Sequence, residues 1–190
     1  DHHVSRTVDV SGKWPSPDFD TANTRHVPGA TGPDSGPTEA WRYCLPENRF
    51  VSGAPAVQGG TVYAREGATL RARNASDGAV EWELGRVTSE PYRSPTVTED
   101  TVYLANDADP PEVLAVSRAD GSVEWSRELG KETQSSLALV HDGTVYALSS
   151  GPDTGLLQAF STTDGTERFR IEREFSTVLA AVDETLVAGL

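Results

Sequence analysis

The amino-acid sequence predicts an all-β fold, a β-propeller of four-stranded antiparallel blades, and three observations carry that prediction. The phrase Asp-Gly-x-Val-Glu-Trp occurs at Asp77-Gly78-Ala79-Val80-Glu81-Trp82 and at Asp120-Gly121-Ser122-Val123-Glu124-Trp125, with a weakened copy at Asp164-Gly165-Thr166-Glu167-Arg168-Phe169. The copies recur roughly every 43 residues, a period that marks a solenoid or propeller. Upstream, Thr61-Val62-Tyr63-Ala64, Thr101-Val102-Tyr103-Leu104 and Thr144-Val145-Tyr146-Ala147 align as one element, and Thr185-Leu186-Val187-Ala188 begins a fourth copy. Finally, no window sustains apolar residues at i, i+3, i+4 and i+7, so no helix is expected.

Taken in order, residues 1–38 read as an irregular N-terminal arm. Pro15, Pro17, Pro28, Pro33 and Pro37 interrupt it, and such punctuation marks loops. Trp14 and Phe19 are its large apolar groups, placed to pin it against the blades. Residues 39–50, with Glu39-Ala40-Trp41-Arg42-Tyr43 about one repeat before Trp82, read as an isolated closing strand. Residues 51–87, 88–130 and 131–173 are expected to form one blade each, and 174–190 a partial blade. Each full unit holds four short runs. The first begins at Ser52, Ser94 or Ser135, where recurrence points to structure rather than nucleophilic chemistry. The second is the Thr-Val-Tyr element. The third is Leu70-Arg71-Ala72, Val113-Leu114-Ala115-Val116 or Leu157-Gln158-Ala159-Phe160, and the last ends on the aromatic.

The turns carry their own chemistry. Gly78, Gly121 and Gly165 accept the positive φ that hairpin turns demand, and Asp77, Asp120 and Asp164 are turn formers. Gln58-Gly59-Gly60, Glu99-Asp100 and His141-Asp142-Gly143 connect the first run to the second. The aromatics Trp82, Trp125 and Phe169, with Trp41 one period earlier, are expected to dock between blades. A ligand-stacking ring has no reason to recur at the blade period. The same applies to Tyr63, Tyr103 and Tyr146.

Charge excludes several functions. The formal net charge is −13, and Lys13 and Lys131 are the only lysines among 16 basic residues. That balance argues against nucleic acid, which demands basic patches, and against docking on anionic membranes. It suits a hydrated, salt-tolerant surface of halophilic type. No apolar run reaches the ~18 residues of a transmembrane helix. A chain that begins at Asp1 and contains no methionine is expected to have been processed. Asn74-Ala75-Ser76 is a glycosylation sequon on an expected exposed loop.

Few side chains have a pattern suited to chemistry. His2 and His3, behind a free Asp1 amine, could chelate Cu(II) or Ni(II), although a solvated tail is the simpler reading. His26 lies in the arm and His141 in a turn, with no zinc-like spacing, and Cys44 is the single cysteine. Asp107, Asp109 and Glu112 lengthen one loop and form an oxygen-rich set that could hold Ca²⁺, although a solvated acidic loop is the plainer reading. Gly151-Pro152-Asp153-Thr154-Gly155 is the matching insertion one blade on. No catalytic set is apparent.

The Thr-Val-Tyr-Ala, Leu-x-Ala and Asp-Gly-x-x-x-Trp columns resemble the pyrroloquinoline-quinone-type repeat, over about Trp41 to Leu190. The arm segment from Trp14 to Arg25 resembles leaders of secreted halophilic archaeal members. The resemblance implies tryptophan-docked blades and an extracytoplasmic location. The dehydrogenases of that superfamily carry a vicinal cysteine pair over the quinone, with Ca²⁺ beside it, and one cysteine cannot form that pair. Members that act as non-catalytic assembly scaffolds resemble the same repeat. The expected function is therefore a non-catalytic scaffold that binds an unidentified protein or small ligand on one rim, with no cofactor. The alternatives are part of a dehydrogenase using pyrroloquinoline quinone (PQQ) and Ca²⁺, and a sensor domain of a larger surface protein.

Propeller rings use four to eight blades, and about 3.5–4 are legible here. Either the Trp41 strand completes the partial blade in a four-bladed ring, or the chain is part or half of an eight-bladed ring. The half-ring is the favoured reading, closed by a homodimer that covers the open strand edge.

Overall fold

Each recurrent run becomes a strand, because alternating β-branched and aromatic residues bounded by Gly, Asp and Thr fit a pleated surface and little else. The computed structural model describes residues 39, 41–44, 51–85, 87, 94–106, 109–130, 134–150, 154–173, 179–182 and 185–188. The first sheet contains β1 (Val51–Gln58), β2 (Thr61–Glu66), β3 (Leu70–Asn74) and β4 (Val80–Leu84). The second contains β5 (Thr96–Val97), β6 (Thr101–Asn106), β7 (Glu112–Ser117) and β8 (Val123–Glu128). The third contains β9 (Gln134–His141), β10 (Thr144–Ser150), β11 (Gly155–Ser161) and β12 (Glu167–Arg173). A two-stranded sheet of β13 (Leu179–Val182) and β14 (Thr185–Ala188) follows. Strands pair antiparallel in sequence order within every sheet, and the described residues contain no helix. The first strands of successive sheets lie against one another, which places them innermost in a propeller of meander blades.

The core lies between the blades. One cluster joins Tyr63, Leu70, Ala72 and Trp82 of the first blade to Val97, Val102, Leu104, Leu114 and Val116 of the second. Another joins Tyr103, Val113, Ala115 and Trp125 to Val140, Val145, Ala147 and Phe160 of the third. A smaller one joins Leu139, Leu148 and Leu157 to Ala181 of the partial blade. Successive side chains of a strand point to opposite faces. Tyr63 therefore turns towards the following blade and Val62 away from it. A central strand is thus covered on both sides, and all six residues of β6 are buried.

Docking of each aromatic on the following blade repeats with little change. The Trp41 indole packs on Gly78, Trp82 on Gly121 and Trp125 on Gly165. The indole N–H donates to the carbonyl three residues before that glycine: Trp41 to Ala75 at 2.9 Å, Trp82 to Arg118 at 2.8 Å and Trp125 to Thr162 at 3.1 Å. Tyrosine completes the seat from within the same blade. Tyr63–Trp82 and Tyr103–Trp125 have ring centroids 5.9 Å apart, tilted by 46°, and Tyr146–Phe169 repeats the contact at 6.3 Å. Phe169 itself is 41% exposed, because no described residue supplies the next turn.

A second recurring contact depends on a β-bulge. Ala72 faces Trp82 while Arg73 faces Val80, so Glu81 is the extra residue. Glu124 and Arg168 take the same place in the next two blades. The bulge returns each side chain to the opening threonine of the second strand. Thr61 donates to Glu81 at 3.0 Å and Thr101 to Glu124 at 3.1 Å, whereas Arg168 donates to Thr144 at 2.6 Å. Asp77, Asp120 and Asp164 each accept the amide two residues on, at 2.9–3.0 Å. Those bonds hold the Asp120 and Asp164 carboxyls below the usual carboxylate range.

Trp41–Cys44 pair with no strand among the described residues, and Trp41 docks on the first blade; residues 40 and 45–50 of the expected closing strand lie outside the described residues. One expectation is corrected. His141 ends β9 instead of sitting in the turn. The arm, with His2, His3 and His26, lies outside the described residues.

Glycine requirements at two turns separate docking from backbone strain. A Cβ on Gly121 would stand 2.6 Å from the Trp82 ring, whereas Gly60 has nothing within 4 Å, and both have positive φ. Gly60→Ala should cost about 1 kcal/mol, the backbone penalty alone. Gly121→Ala should cost about 3 kcal/mol, since the indole must also give way. Urea unfolding of the two variants measures the difference, and equal costs would remove the indole seat from the account.

Candidate functional site: grooves between neighbouring blades

The first and third hairpin turns of a blade emerge at one end and are tied together. Ala75 N–H donates to the Gly60 carbonyl, Arg118 N–H to Asp100 and Thr162 N–H to Gly143, at 2.8, 2.8 and 3.0 Å. This end forms a rim on which each inter-blade seam opens as a groove. The grooves occupy equivalent positions and differ in what fills them.

In the first seam the Arg118 side chain fills the groove. Its Nε donates to the Tyr63 hydroxyl at 2.9 Å, and its terminal nitrogens reach the carbonyls of Gln58, Thr98 and Glu99. A Cβ on Gly59 would lie 2.8 Å from that guanidinium, so the glycine makes room for it.

In the second seam Thr162 takes the place of Arg118 and Glu99 that of Gly59, and a cavity of about 370 Å³ remains. Glu99, Asp100, Thr101 and Tyr103 line it from the second blade, Gly143 and Thr162 from the third. The Tyr103 hydroxyl donates to the Thr162 carbonyl at 3.4 Å. Burial pushes that phenol's pKa up, so it remains a protonated donor and acceptor. The third seam leaves about 280 Å³ beside Arg168, His141 and Asp142.

A third cavity, about 270 Å³, lies on the first blade's opposite face, under Trp41 and Tyr43. Its floor holds buried charges. Glu66 accepts from Arg73 at 2.7 and 3.0 Å and from Arg71 at 2.7 Å, while Arg71 also meets Glu83 at 3.1 Å. The Arg73 guanidinium lies 3.8 Å from the centre of the Tyr43 ring. A cation over an aromatic face is held by the ring quadrupole.

The candidate calcium set lies only partly within the described residues. Asp107 is outside the described residues, Asp109 is exposed, and Glu112 is buried and accepts from Asn106 at 3.0 Å. Among the described residues no three His, Cys, Asp or Glu side chains gather as a metal site, and Cys44 is exposed. Asn74 of the sequon is half-buried, with its side-chain oxygen accepting from Ser76, so the loop is less open than its sequence suggests.

Sequence reading missed Arg118, Glu99, Asp100 and Thr162. They occupy columns that differ from blade to blade, and alignment of the repeats on their shared positions passes over them. The break from Ala75 to Arg118 to Thr162 was the available signal.

Comparison with known proteins places this geometry. A family model described as outer membrane protein assembly factor BamB matches residues 25–172. No curated protein matches the chain. Among solved structures, a quinohemoprotein alcohol dehydrogenase from Pseudomonas putida HK5 superposes with a TM-score of 0.69 at 21% identity, covering 85% of this chain and 26% of that one. One from Comamonas testosteroni gives 0.68 at 19%, covering 84% and 27%. BamB from Moraxella catarrhalis gives 0.57 at 17%, covering 75% and 44%. The chain thus spans between a quarter and a half of the length of these structures, and the likeness is one of fold.

The Glu66 cluster yields a pH prediction. Burial alone would raise the Glu66 pKa, but hydrogen bonds from Arg73 and Arg71 outweigh it and hold the carboxyl below its ordinary value. A lowered folded-state pKa contributes stability that is present above the unfolded value of about 4.3 and lost as pH falls through the folded value. Denaturation from pH 7 to pH 3 should show this loss beginning near pH 4. Glu66→Gln should flatten that limb while costing about 3 kcal/mol at pH 7, because the buried Arg73 guanidinium loses its counter-charge and Arg71 keeps only the exposed Glu83.

Proposed function

This chain belongs to the family described as outer membrane protein assembly factor BamB, and from that premise we propose that it serves as a non-catalytic propeller scaffold whose blade rim binds a protein partner. One observation carries the reading. The recurrent Trp and Gly residues are consumed in docking blade on blade and the recurrent Thr and Tyr in fixing the bulge and the indole within each blade, and positions that vary between blades line the rim grooves. Loops and turns on a rigid scaffold are where recognition is built.

The location that goes with this reading is extracytoplasmic, on the precedent of an outer-membrane assembly factor. No helix among the described residues is long and apolar enough to cross a membrane. Ring closure by a second copy belongs to the same proposal, since it would cover Phe169 and Ile171, which are 41% and 40% exposed on β12.

The fold likeness to quinohemoprotein dehydrogenases keeps a second reading in play, in which the chain is part of a quinone enzyme. The two separate cleanly. Purified protein incubated with PQQ and Ca²⁺, then desalted, should retain no visible chromophore. Retention at one quinone per protein would overturn the scaffold reading.

A further inference from the structure

We propose that the groove between the second and third blades is a binding site for a guanidinium group, carried by an arginine side chain of a partner or by a free arginine-like solute. The protein supplies the template for this assignment one seam earlier. There the Arg118 guanidinium lies between two blades, held by a tyrosine hydroxyl and the carbonyls of both flanking turns. The second seam repeats the frame: Tyr103 stands for Tyr63, Thr98 for Gln58, and the 141–143 turn for the 98–100 turn. Thr162 stands for Arg118, and its short side chain leaves the space empty.

Charge separates this seam from its neighbours. Arg118 serves the first, and Arg168 and His141 line the third. The second has no cationic residue in its lining and carries Glu99 and Asp100, both exposed. Glu99 replaces the glycine that admits Arg118, so a carboxylate stands where the neighbouring groove has bare backbone. Thr101, on the same wall, is bonded to the Glu124 carboxylate at 3.1 Å. A planar cation with five N–H donors can meet a carboxylate in a paired, fork-like contact and still reach a hydroxyl and carbonyls, which an ammonium does less well. The volume, about 370 Å³, is that of a small-ligand site.

The assignment deepens the scaffold reading and rests on it, by naming the chemistry that one rim groove recognises. It is tested by titrating the purified protein with N-acetylarginine amide, free arginine, and the citrulline and lysine analogues, at constant salt. Calorimetry and tyrosine chemical shifts give the readout. Arginine compounds should bind with a dissociation constant on the order of millimolar, and citrulline should bind at least about tenfold more weakly. Preference for the acetylated amide assigns a peptide side chain, and preference for free arginine a solute; both support the guanidinium site. Thr162→Arg puts a guanidinium of the chain's own into the groove and should abolish binding. Glu99→Gln should weaken binding about tenfold with the fold intact. Equal binding of citrulline, absence of arginine binding at tens of millimolar, or unchanged binding in Thr162→Arg would each overturn the proposal. The quinone experiment is read by a visible chromophore and this one by arginine affinity, so failure of either is recognised separately.

Discussion

An indole laid flat on a glycine is the contact on which the rest of the structure depends. Tryptophan buries on the order of 150–250 Å² of ring and carries one N–H that must be satisfied. Both needs are met by the turn of the following blade, which offers a surface without a Cβ and a carbonyl three residues earlier. Because the partner is always in the next unit, no blade completes its own core. The clusters that hold Tyr63 with Val102, and Tyr103 with Val145, are inter-blade by construction. Stability in such an array is carried by the interfaces between neighbours as much as by the units themselves.

This division of labour separates structural from functional residues within one repeat. Threonine, tyrosine, the bulged residue and the tryptophan are tied down on the faces of the blades. What remains free to vary is the rim, and there the seams diverge: an internal arginine in the first, carboxylates around a cavity in the second, Arg168 in the third. A scaffold of this kind can change what it recognises by exchanging a residue such as Thr162 without disturbing the frame. The buried Glu66–Arg73–Arg71 cluster has a different character. It lies under Trp41 and Tyr43 and fixes that face of the first blade by charge, where the second blade places Asn106, Leu114 and Val116 and the third Ser149, Gln158 and Phe160.

Much of the architecture was legible in the residues, for a definite physical reason. A fold made of copies repeats its constraints, so the Asp-Gly turns, the Thr-Val-Tyr strands and the docking aromatics announced themselves by recurrence. Trp41 shares its docking contact with Trp82 and Trp125, which lie in strands, while Trp41 itself pairs with no strand among the described residues. The role of Glu81 and Glu124 stayed hidden because it comes from a bulge, which shifts pairing without leaving a compositional mark. The groove residues were illegible for the opposite reason to the columns: Arg118 and Thr162 matter through their difference, and only superposed seams reveal that they share a location.

The offset between Trp82 and Gly121 also bears on how such proteins gain and lose parts. Each blade carries a plug on its outer strand and a socket in its turn, and fits any neighbour that carries the complementary half. A stretch of one repeat length can therefore be duplicated or deleted at any phase, and the connectors on either side still match. Modular growth of this kind asks little of the sequence between the connectors, which leaves the seams free to diverge in what they hold.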